Sequence, residues 1–245
     1  MSDYHSQTRS IPIGRADMAV DAGLRAFMLG VYNKMALGLL LSAVLAYVAA
    51  TVPPVTQLVF GTPLVWVVMF GPIAILLISA FAMRNPSPAG ANIVYWSVVS
   101  LIGTGMGALL MYYAAVPNGI ITVAKAFLVT AASFGALSLW GYTTKRDISG
   151  WGTFLFMGVI GLIIASIVNM FVASSALSFA ISVIGVLVFA GLTAFDTQRL
   201  KHQYYALGGD QRSMSVATTY GALSLYINFV NLFQFILSLM GGSRE

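Results

Sequence analysis

Asp196 is the acidic residue of this sequence whose position suggests chemistry. It closes a long apolar run within Gly191-Leu-Thr-Ala-Phe-Asp-Thr-Gln-Arg-Leu-Lys-His202, and two basic residues, Arg199 and Lys201, follow it directly. The other six acids lie in the tails or in short polar connections. A carboxylate beside hydrocarbon is costly unless it is paired, solvated or protonated. If a helix ends there, its macrodipole also disfavours an anion. Asp196 therefore requires either a counter-charge or a functional role.

The composition indicates which elements must hold this acid. Of the 245 residues, 59% are hydrophobic and 8% are charged, whereas soluble domains carry about 25% charged residues. We therefore expect an all-α integral membrane protein that has the lipid bilayer as its first partner. The net charge of +5 comes from few basic residues, which lie in connections, so no nucleic-acid-binding face is predicted. The absence of cysteine excludes disulfides and thiolate metal sites.

Seven apolar stretches are long enough to cross a bilayer, which takes about 20 residues of helix. They cover residues 26–50, 64–83, 92–114, 119–142, 151–172, 176–196 and 218–240. The connections between them are short, except for residues 197–216. The predicted organisation is a polar cytoplasmic N-terminal tail, residues 1–25, followed by a seven-helix transmembrane domain, residues 26–242.

The basic residues predict the orientation of the seven helices. Cytoplasmic connections are enriched in Lys and Arg, and nine basic residues lie in the tail and in alternate connections, whereas Arg244 alone lies on the other side. The nine are Arg9, Arg15, Arg25, Arg84, Lys145, Arg146, Arg199, Lys201 and Arg212. This pattern places the N-terminus in the cytoplasm and the C-terminus outside. A six-span arrangement with a re-entrant last stretch is the alternative.

The last apolar stretch carries a polar stripe on one helical face. Its members are Tyr220, Ser224, Asn228, Asn231 and Ser238. Unpaired polar groups in hydrocarbon are expensive, so these side chains need partners. The stripe serves either to hydrogen-bond neighbouring helices or to line a polar cavity or ion path. Both interpretations predict a buried helix near the centre of the bundle.

The orientation also suggests partners for Asp196. The second stretch ends at Arg84, at the same membrane depth as Asp196, so a salt bridge between them is predicted if the two helices are adjacent. The alternative is a solvated carboxylate that pairs locally with Arg199 or Lys201.

Two lysines and two small-residue motifs predict how the helices pack. Lys34 and Lys125 lie inside apolar stretches near their ends, where the side chain is expected to extend to the headgroups. The motifs Gly103-x-x-x-Gly107 and Gly161-x-x-x-Ala165 predict a close approach of two helices.

Three blocks of the sequence resemble the Bax inhibitor-1 family of transmembrane proteins, in its bacterial branch. They are Gly141-Tyr-Thr-Thr-Lys-Arg-Asp-Ile-Ser-Gly150, Phe195-Asp-Thr-Gln leading to Lys201-His202, and Ala222-Leu-Ser-Leu-Tyr-Ile-Asn-Phe-Val-Asn-Leu-Phe233. The resemblance covers residues 32–242 and implies seven helices with the last enclosed by the other six. It also implies a calcium leak or calcium–proton exchange activity and a role in restraining stress or death responses. Some bacterial relatives are associated with a membrane-bound protease.

The resemblance further implies a pair of aspartates, one ending the sixth helix and one inside the seventh. Asp196 matches the first, but Asn228 stands at the second position. Two carboxylates can share a proton, whereas a carboxylate and an amide cannot. We therefore expect a single carboxylate latch at the cytoplasmic mouth, with Arg84, Asn228 and Asn231 along the ion path. Calcium is the expected transported or bound ion, with Asp196 as a weak ligand and a shallower pH dependence than in relatives with both acids.

Two classes of function remain after an enzyme is set aside. His5 and His202 lie outside the apolar stretches, and no second acid is available for a catalytic pair. The first class is an ion-conducting protein of the inner (plasma) membrane. The second is a non-conducting regulator that binds a membrane partner, such as a membrane-bound protease, through the tail of residues 1–25.

Overall fold

The protein folds into helices, as the hydropathy predicts. The computed structural model describes residues 13–82 and 85–241, and these residues form eight helices and no strand. The helices are α1 (Ile13–Thr51), α2 (Pro53–Phe60), α3 (Leu64–Ala82), α4 (Pro88–Ala114), α5 (Gly119–Thr143), α6 (Trp151–Val172), α7 (Ser175–Ala206) and α8 (Gln211–Gly241). All of them except α2 are long and apolar enough to cross a membrane, which confirms the seven predicted spans.

The first helix is longer than the sequence predicts. Residues 13–25, which were assigned to the polar tail, already belong to α1, and residues 1–12 lie outside the described part of the chain. The short helix α2 follows directly and has Pro53 and Pro54 in its first turn, where a missing N–H breaks no intrahelical bond. With eight residues, α2 is too short to be recognised as a span.

The boundaries of α7 and α8 correct the sequence prediction. Helix α7 continues from Asp196 to Ala206, ten residues further, and α8 begins at Gln211 instead of at residue 218. The long connection expected over residues 197–216 is therefore the short turn 207–210, in which Gly208 and Gly209 adopt positive φ angles of 57° and 87°. Both helices extend beyond their apolar stretches because polar residues continue the helix outside the hydrocarbon.

Asp210 caps the start of α8. Its Oδ2 accepts a hydrogen bond from the backbone N–H of Ser213 at 2.9 Å, as in an N-cap. The hydrogen bonds from the side chain and the backbone of Ser213 lower the pKa of the Asp210 carboxyl. The cap fixes where α8 begins and hence the register of its polar stripe.

Helix α8 lies at the centre of the bundle, as predicted. It packs against α1, α4, α5 and α7, and Tyr220 also forms a 3.0 Å hydrogen bond with Ser79 of α3. In its most apolar 18-residue window 56% of the residues are buried, against at most 33% in the other six spans. A cavity separates α8 from α6, so α8 is enclosed by five helices and faces the sixth across open space.

One of the two small-residue motifs mediates close packing. A Cβ at Gly103 would lie 2.5 Å from the Cα of Ser42, and one at Gly107 would lie 2.8 Å from the Cβ of Ala49, so only glycine fits between α4 and α1. At Gly161 nothing lies within 4 Å of the Cβ position, so the predicted close approach there is wrong.

Lys34 does not extend to the headgroups as expected. Its Nζ donates hydrogen bonds to the side chains of Asn92 in α4 and Thr219 in α8, the latter at 2.7 Å. It also lies 5.5 Å from the centroid of the Tyr95 ring. Because α1 begins at Ile13, Lys34 lies well inside this helix and links α1 to α4 and α8.

Candidate functional site

Asp196 is buried between α7 and α8, and both of its carboxylate oxygens are engaged. Its side chain is 6% exposed. Oδ2 accepts hydrogen bonds from Ser224 Oγ at 2.5 Å and from Asn228 Nδ2 at 2.8 Å. Oδ1 lies 2.9 Å from Nη2 of Arg199. Three donors converge on one acceptor group, which is the arrangement expected for an ionised carboxylate.

Helical spacing brings the members of this Asp196 cluster together. Ser224 and Asn228 are four residues apart in α8, and Asp196 and Arg199 are three residues apart in α7, so each pair lies on one helical face. Arg199 also donates to Ser224 Oγ at 3.4 Å and stacks near Phe195, 5.8 Å from its ring centroid. The Arg199 side chain is 53% exposed. The cluster therefore joins α7 to α8 with a buried anion and a cation at its rim.

The structure corrects two expectations about Asp196. The residue is not at a helix C-terminus, because α7 continues to Ala206, so the macrodipole imposes no penalty there. Its local pairing with Arg199 was one of the predicted alternatives, but the carboxylate is buried instead of solvated. Lys201 instead donates to the backbone oxygen of Tyr142 at the end of α5, at 3.1 Å.

The predicted salt bridge between Arg84 and Asp196 cannot be placed in this arrangement, because Arg84 lies outside the described residues. It stays a prediction. Within the described ranges the ion pair of Asp196 is made by Arg199, and two neutral donors complete its coordination.

A cavity of about 860 Å³ opens beside the cluster, between α3, α6, α7 and α8. Its polar lining consists of Ser166, Asp196, Arg199, Ser224, Asn228 and Asn231. Asn231 faces this cavity but donates to the oxygen of Ile227 in its own helix, at 2.8 Å, and does not contact Asp196. Of the predicted site residues, Asp196 and Asn228 therefore form a direct hydrogen bond, while Asn231 lies on the same wall.

A second cavity of about 350 Å³ continues from the first and shares Ser166, Met170 and Phe235 with it. Its polar lining adds Asn169, Ser178, Ser182, Gln234 and Ser238. Along α7 the two cavities extend from Ser178 to Arg199, which corresponds to about 32 Å of helix and about the thickness of the hydrocarbon core. We call the two adjoining cavities the polar route, after the polar side chains that line them along α6, α7 and α8; the rest of the lining of the larger cavity is apolar.

The polar stripe of α8 serves both of the predicted purposes. Tyr220 bonds Ser79 of α3, and Ser238 bonds Ser182 of α7 at 2.9 Å, so these two hold neighbouring helices. Ser224, Asn228 and Asn231 line the larger cavity, and Ser238 also lines the smaller one.

The sequence matches a known protein family and several bacterial proteins over most of its length. The family described as inhibitor of apoptosis-promoting Bax1 matches residues 24–245. This chain belongs to the Bax inhibitor-1 family. Relatives over the full length of both chains include an uncharacterized protein of Caulobacter vibrioides, 57% identical, and the uncharacterized protein RP147 of Rickettsia prowazekii, 39% identical. The inner membrane protein YbhL of Escherichia coli is 38% identical over 94% of this chain and 98% of its own.

In this member of the Bax inhibitor-1 family, the three sequence blocks that carry the resemblance meet around α7. Gln198 accepts a hydrogen bond from the N–H of Ile148 at 2.9 Å and donates one to the oxygen of Arg146 at 2.7 Å. A Cβ at Gly141 would lie 2.4 Å from the oxygen of Ala194, so α5 and α7 touch through their backbones. Block one is thereby fixed to block two, and block three supplies Ser224 and Asn228 to Asp196. Gln198 was missed as a positioning residue, because its polar type gave no indication of which loop it would contact.

The residue predicted as a calcium ligand, Asp196, belongs to the same cluster. Calcium takes six to eight oxygen ligands, and the described residues contain no group of three or more His, Cys, Asp or Glu side chains. Both oxygens of Asp196 already contact donors, and Arg199 is the cation that occupies Oδ1. The role of Asp196 as a weak calcium ligand stays a prediction that concerns an opened arrangement.

Proposed function

We propose that this multipass membrane protein is a pH-sensitive calcium leak of the inner (plasma) membrane, with Asp196 as the latch of its closed state. The observation that supports it is the buried Asp196 cluster at one end of a polar route about as long as the bilayer is thick. The name of YbhL, an inner membrane protein, supports the location. We assign no catalytic role to any residue.

The latch acts through the donors that surround Asp196. In the closed arrangement the carboxylate holds Ser224 and Asn228 of α8 against α7. When a proton neutralises Asp196, Arg199 loses its ionic partner. A guanidinium has no hydrogen-bond acceptor, so it cannot accept a hydrogen bond from the O–H of the protonated carboxyl. The contact between α7 and α8 is weakened at this point, so the route opens at the end where Arg199 lies.

The ion pair also controls which charges enter. While Arg199 covers Asp196, the mouth carries a compensated anion and an exposed guanidinium, and a cation gains nothing by approaching. Once Arg199 has moved away, the carbonyl oxygens of Asn228 and Asn231 offer a cation neutral hard ligands along the wall. Release of the pair therefore removes the guanidinium from the mouth and exposes neutral oxygen ligands that admit calcium.

Reconstitution into liposomes with a calcium indicator inside tests the proposal. We expect the native protein to conduct calcium with a pH-dependent rate and Asp196→Asn to leak more at pH 7 with little pH dependence. Asp210→Asn is the matched control, because it makes the same chemical change at the exposed cap of α8, where asparagine caps as well as aspartate. It should behave like the native protein.

Two results would contradict the proposal. Absence of calcium flux from the purified native protein at every pH between about 5 and 8 would favour the non-conducting regulator instead. Equal flux and equal pH dependence in the native protein and Asp196→Asn would show that conduction does not depend on Asp196, which contradicts its role as the latch.

A further inference from the structure

A second site lies between α1 and α5, away from the polar route. A cleft of about 400 Å³ separates these helices, and it shares no lining residue with the Asp196 cavity. Helix α1 contributes Arg25, Leu29 and Tyr32 at helical spacing, and α5 contributes residues 134–142 on one face. Because α1 and α5 cross the membrane in opposite directions, Arg25 and Tyr142 lie at the same end of the cleft. Tyr32 lies about 10 Å deeper, since seven residues of helix separate it from Arg25.

The cleft opens sideways into the hydrocarbon. Leu29 is 51% exposed and Leu139 is 64% exposed, and they stand on its two edges. Apart from Ser138, the walls are otherwise apolar or aromatic, and Arg25 is the charged residue in the lining. An apolar cleft with one cation at the membrane surface is complementary to a molecule with an acyl chain and an anionic headgroup.

Ser138 provides an independent indication that a ligand belongs in the cleft. The residue is 6% exposed, it lines the cleft, and its Oγ has no hydrogen-bond partner among the described residues. Serine and threonine in helices commonly bond the carbonyl four residues earlier, as Thr130 of the same helix does with Ala126 at 2.7 Å. A buried hydroxyl without a partner is unfavourable, and a ligand acceptor would remove that cost.

We propose that this cleft binds an anionic phospholipid from the leaflet on the Arg25 side. The phosphate pairs with Arg25, an acyl chain lies between Leu29 and Leu139, and an ester oxygen accepts the hydrogen bond of Ser138. Lys145 and Arg146 follow α5 at the same end of the bundle and add positive potential that attracts the headgroup. The site is independent of calcium conduction, since none of its residues line the polar route.

Native mass spectrometry with phosphatidylglycerol and phosphatidylcholine tests the site. We expect phosphatidylglycerol to bind at one site per chain and phosphatidylcholine to bind far less. Arg25→Gln should weaken phosphatidylglycerol binding about tenfold, the change expected for the loss of a charge-assisted hydrogen bond. Ser138→Ala should weaken binding of either lipid by a smaller factor.

Gly135→Leu is the sharpest variant, because the Cβ position at Gly135 has no atom within 4 Å and the new side chain enters the cleft without a clash. Gly161→Leu is its matched control. Gly161 is also a helical glycine with free space at its Cβ position, but it lies in α6 outside the cleft. Gly135→Leu should abolish the bound phosphatidylglycerol, and Gly161→Leu should retain it.

Photoactivatable phosphatidylglycerol gives a second measurement that does not depend on any variant folding. We expect its adducts on residues 28–32 of α1 and residues 134–139 of α5. Equal binding of the two lipids, equal loss in both leucine variants, or adducts confined to other helices would overturn the proposal. So would a dimer that Gly135→Leu abolishes, because a second copy of the chain would then fill the cleft.

Discussion

The variant Asn228→Asp would place a second carboxylate against Asp196. In the native cluster, Nδ2 of Asn228 donates to Oδ2 of Asp196 at 2.8 Å. Aspartate at this position has the same shape but offers an oxygen where the amide offered a donor. The new side chain keeps the cluster closed only while the two carboxyl groups hold one proton between them.

The expected size of the effect follows from this distance. Two carboxylates whose charges lie about 4 Å apart repel each other by about 4 kcal/mol at an effective dielectric constant of 20. The hydrogen bond that Asn228 donates to the charged carboxylate contributes about 1.5–3 kcal/mol net. When the shared proton is lost, the repulsion therefore exceeds the lost hydrogen bond and separates α8 from α7. We expect the leak of this variant to rise with pH, whereas the proposed latch predicts that the leak of the native protein falls with pH.

Calcium flux into liposomes, measured between about pH 5 and 9, provides the assay. Asn231→Asp is the matched control, because it adds the same charge to the same helix and the same cavity. Its native amide donates to Ile227 and not to Asp196. The control should change the overall rate without adding the steep step. Superimposable pH profiles for the native protein and Asn228→Asp, or the same step in Asn231→Asp, would refute the reasoning.

Three further predictions concern other contacts of the described structure. Arg199→Gln should raise the leak at pH 7 about twofold to fivefold, as expected for the loss of a half-exposed ion pair. In a flux measurement on the double mutant, it should have no further effect when Asp196 is already replaced by asparagine. Ser138→Ala should raise Tm in lipid-free detergent by about 2–4 °C, because it removes a buried hydroxyl without a partner; a lower Tm would show that the hydroxyl is paired. Lys34→Met should lower Tm by about 4 °C, since two acceptors lose a charged donor, and Lys125→Met, on the exposed face of α5, should leave it unchanged.

The number and type of the spans could be predicted from the sequence because the bilayer sets the required length of apolar helix. The ends of α7 and α8 could not, because loss of hydropathy marks where a helix leaves the membrane and not where it stops. Residues 197–206 continue α7 through its backbone hydrogen bonds although most of them are polar. For the same reason the sequence offers Arg199 only as an alternative partner of Asp196, on equal terms with Lys201. Three residues after Asp196 in a continuing helix, it would have been the first candidate for its counter-charge.

The sequence likewise predicts some contacts of the site and not others. Periodicity predicts that Ser224, Asn228 and Asn231 share a face, and the structure confirms that all three line the cavity beside Asp196. Periodicity gives no rotation of α8 about its axis relative to α7, so it does not decide which member of the stripe reaches the carboxylate. That depends on side-chain contacts such as the packing of Tyr220 against Ser79. The cleft at Ser138 gives no sequence signal, since a serine in an apolar helix is ordinary.

The closed cluster has no net charge, and this distinguishes it from a carboxylate pair. Two aspartates that share one proton keep one negative charge at the mouth, so a cation is attracted even while the route is closed. Here Arg199 cancels the charge of Asp196 and stands on the solvent side of it. Opening of the route therefore requires the displacement of one guanidinium, and in the closed state no net charge draws a cation to the mouth. Replacing Asn228 by aspartate leaves this balance unchanged while the two carboxyl groups share a proton, because one negative charge still faces Arg199, and it adds an uncompensated negative charge once that proton is lost. We therefore expect the variant to gain calcium binding at its mouth only at pH values at which the shared proton is lost, so its calcium binding should strengthen with pH more than that of the native protein.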